Sequence, residues 1–169
     1  MNYAQIRKYD TANGIGIRTS IFFSGCTNNC LGCFNEEYQN FEYGSEFTDN
    51  QINQIIEYMK NPYVDGLSVL GGEPFQQDMV KLDEFLAKVK KVYPEKTIWI
   101  YSGYTFEELM EDPQKIKVLR NCDVLVDGRF VEKLKNLRLK FRGSENQRLI
   151  DVPKSLEISK AVQIDQGQL

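Results

Sequence analysis

Short apolar runs that close on glycine or polar turns alternate with helical patterns along most of this chain. No other feature limits the fold as tightly. "GIRTSIFFSG" (16–25) is apolar and β-branched and reads as a buried strand. "FTDNQINQIIEYMKNP" reads as a helix: Thr48 and Gln51 form a capping box, Ile52, Ile55, Ile56 and Met59 share one face, and Asn61-Pro62 stops it. "GLSVLGGEP" is a strand over Leu67–Leu70 that runs into a Gly-Gly turn. A second helix carries Met79, Leu82, Leu86 and Val89 as its stripe, and "KTIWIYSGY" is the next strand. Thr105 and Glu108 open a short helix that Asp112-Pro113 interrupts, "KIKVLRN" continues as another, and "CDVLVDG" is a further strand. "FVEKLKN" reads as one more helical turn, and "QRLIDVPKSLEI" as one or two short strands broken by Pro153.

This order argues an α/β fold with right-handed crossovers. About five or six mainly parallel strands fit, too few for a closed eight-stranded barrel of roughly 250 residues, so an open or partial (β/α) barrel is expected. No repeat, linker or low-complexity run divides the chain, so one domain over residues 1–169 is expected, with a polar, frayed tail over 161–169. Active sites of such folds sit at the C-terminal ends of the strands. Four turns fall there: "SGCTNNCLGCFN", "GGEPF", "YSGY" and "VDGRF". Parallel strands would bring all four to one mouth.

Composition excludes several functions. The net charge is -3, and no basic stripe suits nucleic acid. The nearest is the cluster Lys133, Lys135, Arg138, Lys140 and Arg142, which alternates with leucines and reads as a solvated face. No apolar run approaches the ~18 residues of a membrane span. The N-terminal "MNYAQIRKYD" lacks a signal pattern, so a cytoplasmic protein is expected. There is no histidine, so Ser-His and Cys-His catalysis and His-ligated zinc hydrolases are ruled out.

Cys26, Cys30 and Cys33 lie in one loop, and Cys122 stands alone at the start of a strand. In a reducing compartment, bunched cysteines suggest metal or redox chemistry rather than disulfides. Thiolates suit zinc, copper(I) or iron–sulfur clusters. Zinc sites favour a second pair of ligands far along the chain, and none is present. Three close cysteines can hold three irons of a 4Fe–4S cube and leave the fourth iron without a protein ligand. A zinc knuckle completed by an acid is the competing reading, and Cys122 reads as a small buried hydrophobe.

The Cys-x3-Cys-x2-Cys loop after a first strand resembles that of radical S-adenosylmethionine (SAM) enzymes, and "GGEP", Gly71 to Pro74, resembles their second motif. "MNYAQIRKYD", "NGIGIRTSIFFSGC", "CLGCFN", "LGGEP", "IWIYSGY", "VDGRFV" and "FRGSENQR" are similar to stretches of the activating proteins of anaerobic (class III) ribonucleoside-triphosphate reductases. Gly32 before the third cysteine, with Phe34 after it, sets the chain apart from the related pyruvate formate-lyase activases. The family often has Gly-Pro-Gly where this chain has Gly14-Ile15-Gly16, so a looser turn is expected there.

The resemblance implies the following roles. Cys26, Cys30 and Cys33 would ligate a 4Fe–4S cluster, and the amino and carboxylate groups of SAM would chelate the open iron. Backbone around Gly32, Cys33 and Phe34 would border the adenine. Gly71 and Gly72 would allow close backbone approach, and Glu73 would add negative charge near the SAM ammonium, the alternative being a solvated turn acid. Ser102, Asp127 and Arg129 would contact the ribose or methionyl carboxylate or bind a cation. A turn salt bridge between Asp127 and Arg129 is the competing reading. Arg142, Gly143, Ser144 and Asn146 would make sheet-end or partner contacts. The implied activity is reductive cleavage of SAM to a 5′-deoxyadenosyl radical, which takes a hydrogen from a glycine of the reductase large subunit. Flavodoxin would be the reductant. Rival readings are an activase of another glycyl-radical enzyme, a zinc-binding interaction module and a four-cysteine ferredoxin.

Overall fold

The structure is a computed structural model and describes residues 1–169. In chain order its elements are β1 (Asn2–Asp10), β2 (Ile17–Ser24), β3 (Ser45–Glu46), α1 (Asp49–Met59), β4 (Val64–Gly71) and α2 (Met79–Val92). They continue with β5 (Thr97–Tyr101), α3 (Phe106–Leu109), α4 (Pro113–Leu119), β6 (Val124–Asp127), β7 (Arg148–Asp151) and α5 (Val152–Ile158). The strands form one open, seven-stranded sheet in the order β3-β1-β2-β4-β5-β6-β7.

The α/β order is as the sequence predicts, but the sheet is mixed. β2, β4, β5 and β6 are mutually parallel, while β1 and β7 run antiparallel on either flank and β3 adds a short edge. The expected five or six mainly parallel strands are therefore seven, of which four are parallel. β1 has no strong apolar alternation: five of its nine residues are half-buried, three are exposed and only Asp10 is buried. It is a strand because the short link to β2 permits a hairpin, whereas a parallel pair would need a long crossover.

From β1 to β7, leaving aside β3, the strands stand in sequence order without a reversal. Right-handed crossovers that all step the same way place their helices on one face of the sheet. Side chains follow this rule by alternation. Ile21, Phe23, Leu67, Val69, Ile98, Ile100, Leu125 and Ile150 join the helix residues Ile52, Ile55, Leu82, Phe85, Leu86 and Val118 in the main core. Their neighbours point the other way: Trp99, Val124, Val126 and Leu149 form a second cluster with Tyr101 and Phe141.

Arg18 sits on this helix-free side and is 1% exposed. It has no carboxylate partner. Instead it donates to Ser68 Oγ (2.7 Å), Leu67 O (2.8 Å), Thr97 Oγ1 (3.0 Å), Thr97 O (2.8 Å) and Ile15 O (3.2 Å). Burial lowers its pKa to about 10. Arg18 also answers the missing proline at position 15. The Gly14–Gly16 turn is held by that Arg18 bond, by Ser68 Oγ donating to Asn13 O (2.5 Å) and by Ile17 N–H on Asp65 Oδ2 (2.9 Å).

Both predicted capping boxes form, at Thr48/Gln51 and Thr105/Glu108. Pro153 does not break a strand. Asp151 ends β7 and caps α5, its side chain accepting from Lys154 N–H, and Pro153 lies in the first helical turn, where no amide proton is missed. The polar end of the chain is tied to β7: Asp151 N–H donates to Val162 O (2.9 Å) and Ile164 N–H to Leu149 O (2.8 Å). No helix is long and apolar enough to cross a membrane.

Candidate active site at the strand ends

The parallel strands end on one side, and their turns meet there. Gly25 follows β2, and its N–H donates to Tyr38 O (2.7 Å), which folds the cysteine loop back over the sheet. Gly72 N–H then donates to Phe23 O (2.8 Å) and Glu73 N–H to Gly25 O (2.8 Å), binding the end of β4 to the end of β2. A Cβ on Gly71 (φ +115°) would lie 2.4 Å from Phe23 O, and one on Gly72 would lie 2.5 Å from Gly25 O. The close approach that these glycines permit is thus first of all to the backbone of their own chain.

Glu73 corrects the reading of a solvated turn acid: it is 0% exposed. Its carboxylate accepts from Phe75 N–H (3.0 Å), Ser102 Oγ (2.9 Å), Gly103 N–H (2.7 Å) and Asn28 Nδ2 (3.3 Å). Burial raises its pKa against the pull of those donors. One carboxylate therefore ties together the cysteine loop, the turn after β4 and the turn after β5.

Asp127, at the end of β6, is also 0% exposed. It does not pair with Arg129. Arg148 of β7 takes it in two bonds, Nε to Oδ1 (3.0 Å) and Nη2 to Oδ2 (2.5 Å), and Phe106 N–H donates to Oδ2 (2.7 Å). Arg148 also reaches Glu107 Oε2 (2.6 Å). The reason is geometric: the antiparallel register pairs Asp127 with Arg148 across β6 and β7, while Arg129 has left the strand and is exposed.

A cavity of about 620 Å³ lies over the helix-free face, at the mouth where these turns meet. That is within the roughly 300–1,000 Å³ usual for small-molecule sites. Phe22, Leu70, Tyr101 and Val126 line it from the sheet, and Cys26, Cys30, Cys33 and Phe34 from the cysteine loop. Gly71, Gly72, Ser102 and Gly128 line it from the strand ends. Gly32, Glu73, Asp127 and Arg129 are not among its lining residues. Phe34 and Phe130 pack at 4.9 Å between centroids, their rings tilted by 54°, and close one side.

All three loop thiols are half-buried and face this cavity. Burial raises the pKa of Cys26, opposed by Asn28 N–H on its Sγ at 3.4 Å. Burial does the same to Cys30, opposed by a backbone hydrogen bond from Phe130. Such thiols give up their protons to a metal rather than to water. No three His, Cys, Asp or Glu side chains stand drawn together as a metal site, so the thiols share a cavity without forming a closed coordination shell. The donor chemistry nonetheless fits an iron–sulfur cluster with three protein ligands: soft sulfurs on one loop, and a neighbouring carboxylate already occupied by other donors. Cys122 is 3% exposed in the helix-side core, its thiol on Val118 O at 3.6 Å, and burial raises its pKa. It faces away from the cavity and cannot complete the set.

Sequence reasoning missed Phe130, Asn28, Tyr101 and Arg148. Phe130 and Tyr101 lie within the turns "VDGRF" and "YSGY", so position at a strand end is the signal that marks them. Asn28 and Arg148 act through partners 45 and 21 residues away, and no local pattern marks them.

Residues 12–150 match the family described as a 4Fe-4S single cluster domain. The chain is also similar to proteins named anaerobic ribonucleoside-triphosphate reductase-activating protein. That of Enterobacteria phage T4 is 35% identical over 150 residues, which cover 88% of this chain and 93% of the phage protein. That of Haemophilus influenzae is 39% identical, covering 87% of this chain and 96% of the other. That of Escherichia coli K12 is 35% identical with the same two coverages.

Proposed function

Because this chain belongs to the family of anaerobic ribonucleoside-triphosphate reductase-activating proteins, which carries a 4Fe-4S single cluster domain, we propose that it is a radical SAM activase of such a reductase. One observation carries the reading: three thiols from a single loop face a cavity of ligand size, while the fourth cysteine lies on the other side of the sheet. In this reading the open sheet is a partial (β/α) barrel and 1–169 is one radical SAM domain.

Cys26, Cys30 and Cys33 would hold the 4Fe–4S cluster, and SAM would take the open iron. When bound, the two would supply reductive cleavage of a SAM carbon–sulfur bond, the radical chemistry by which hydrogen would be taken from a glycine of the reductase large subunit. The chain's own part is to bind, orient and exclude water. Phe22, Leu70, Phe34 and Phe130 give the cavity apolar walls that protect a radical from solvent. Cys33, Phe34, Gly71, Gly72 and Ser102 are the expected SAM-binding residues that line the cavity, and we keep them in that role. We reassign Glu73 and Asp127 to holding the strand-end turns in place, so they act on SAM by positioning. Gly32 sets the loop's turn with φ +72°. We leave Arg129 as an electrostatic neighbour of Cys30. No step needs a general base, in keeping with the absence of histidine. We further propose a cytoplasmic location and flavodoxin as reductant.

The test is anaerobic reconstitution with iron and sulfide. A brown protein absorbing broadly near ~400 nm is expected, with the colour lost in each of Cys26→Ala, Cys30→Ala and Cys33→Ala and kept in Cys122→Ala. Electron paramagnetic resonance of the reduced protein mixed with SAM and the large subunit should then show a glycyl doublet. A colourless protein holding one zinc would overturn the reading. SAM cleavage without the doublet would move the activity to a different substrate.

A further inference from the structure

Residues 129–142 carry six basic side chains and one acidic one, a net charge of +5 in a chain whose total is -3. None of the six cations forms an ion pair with an aspartate or glutamate of the chain. Of the three leucines between them, Leu139 is half-buried and the other two are not folded inward. Leu137 is 84% exposed and Leu134 39%. Yet the segment is well anchored. Asn136 N–H donates to Gly143 O (3.1 Å) and Glu145 N–H to Leu134 O (2.9 Å), while Lys135 and Ser144 form a β-bridge. Val131 N–H on Ser144 Oγ (3.1 Å) and Gly143 N–H on Gln147 Oε1 (2.8 Å) close its base. Lys135 lies 5.2 Å from the ring of Phe34, fixing the segment against the cysteine loop. Its inner edge, through Asn136, Leu137, Leu139 and Phe141, lines the cavity.

An ordered rim with the Lys133 and Arg138 side chains unpaired outside and apolar side chains at the cavity edge has the character of a docking surface. We propose that residues 129–142 form the docking rim for an acidic segment of the protein whose chain enters the cavity. Lys133 and Arg138 steer its approach, and Leu137 buries an apolar side chain of that partner. This rests on the activase reading, in which the partner is the reductase large subunit. The exposed leucines favour a protein partner, whose interface would bury them at the centre of the contact.

Binding of the full-length chain to the large subunit, followed by surface plasmon resonance, tests the rim without requiring activity. Lys133→Glu combined with Arg138→Glu should slow association about tenfold or more at low salt. The gap to wild type should close at roughly 0.5 M salt. Leu137→Ser should instead speed dissociation at either salt, and thermal melting checks that both variants are folded. Wild-type association in the charge-reversed variant, or a loss that ignores salt, would overturn the rim. So would retention of a single-stranded oligonucleotide through Lys133 and Arg138 with reductase binding intact. If wild type itself neither binds nor activates the large subunit, the activase reading falls and the rim falls with it. If wild type binds and the variants bind equally well, only the rim falls.

Discussion

Glu73 shows how much a single buried side chain can organise. It has four donors and no cation partner, so its removal leaves several buried N–H and O–H groups unmatched. Glu73→Ala is expected to cost about 3 kcal/mol or more, which for a chain of this length is roughly 6–12 °C in melting temperature. Glu73→Gln keeps one acceptor but turns an NH2 toward donors, so it should recover only part of the loss. A melting curve of each variant decides. If Glu73→Gln melts as wild type does, the charged acceptor is not what the site needs. The thiols offer a second check. In the cluster-free protein, iodoacetamide should modify Cys26, Cys30 and Cys33 under native conditions, and Cys122 only after unfolding, because it is 3% exposed with its pKa raised by burial. Mass spectrometry with four labels on the native protein would contradict the placement of Cys122.

Among the elements, β6, β7 and α3 are joined by the Asp127–Arg148–Glu107 chain of ion pairs. Hydrogen bonds from Arg148 hold the Glu107 carboxyl below its ordinary 4.5. A carboxyl whose folded pKa is depressed adds stability that is present above its unfolded pKa. That stability is lost as pH falls through the folded value. Glu107 is 60% exposed, so the contribution is screened and modest. Urea midpoints of wild type and Glu107→Gln should differ at neutral pH and converge as pH falls below 4.5. A difference that persists unchanged into acid would mean the side chain acts by packing and not by charge. These pairs also show what the sequence conceals at Asp127. A carboxylate at a strand end in a glycine turn looks available for a ligand, and the arginine that claims it arrives from β7 by antiparallel register. The helices were legible because caps and stripes are local, as at Thr48, Thr105 and Ile52–Met59. The same local logic misled at Pro153, which fits a helix start as well as a strand break.

For the molecule as a whole, the parallel middle of the sheet and the meeting of its four turns followed from the order of apolar runs, since each run is buried on both faces. The flanks did not follow. β1 is half-exposed and β3 has two residues, so neither has the pattern of a buried strand. The polar end of the chain likewise hid its role. Ile164 and Leu169 pack on the cluster of Trp99, Val124, Val126 and Leu149, covering one end of the helix-free face. Removing residues 162–169 should therefore expose Trp99, the only tryptophan, and shift its emission to the red with a lower melting temperature. Unchanged emission would show that the cluster is shielded without them. The tie made by Glu73 has a final consequence, seen in the arithmetic of mutation rather than in contacts. Asn28 and Ser102 lie in different loops and share no hydrogen bond, yet both donate to the same carboxylate. The loss of one changes what the other is worth, so their double mutant should depart from the sum of the singles. The cysteine loop and the turn after β5 would then vary as one heritable unit, and neither could be tuned alone.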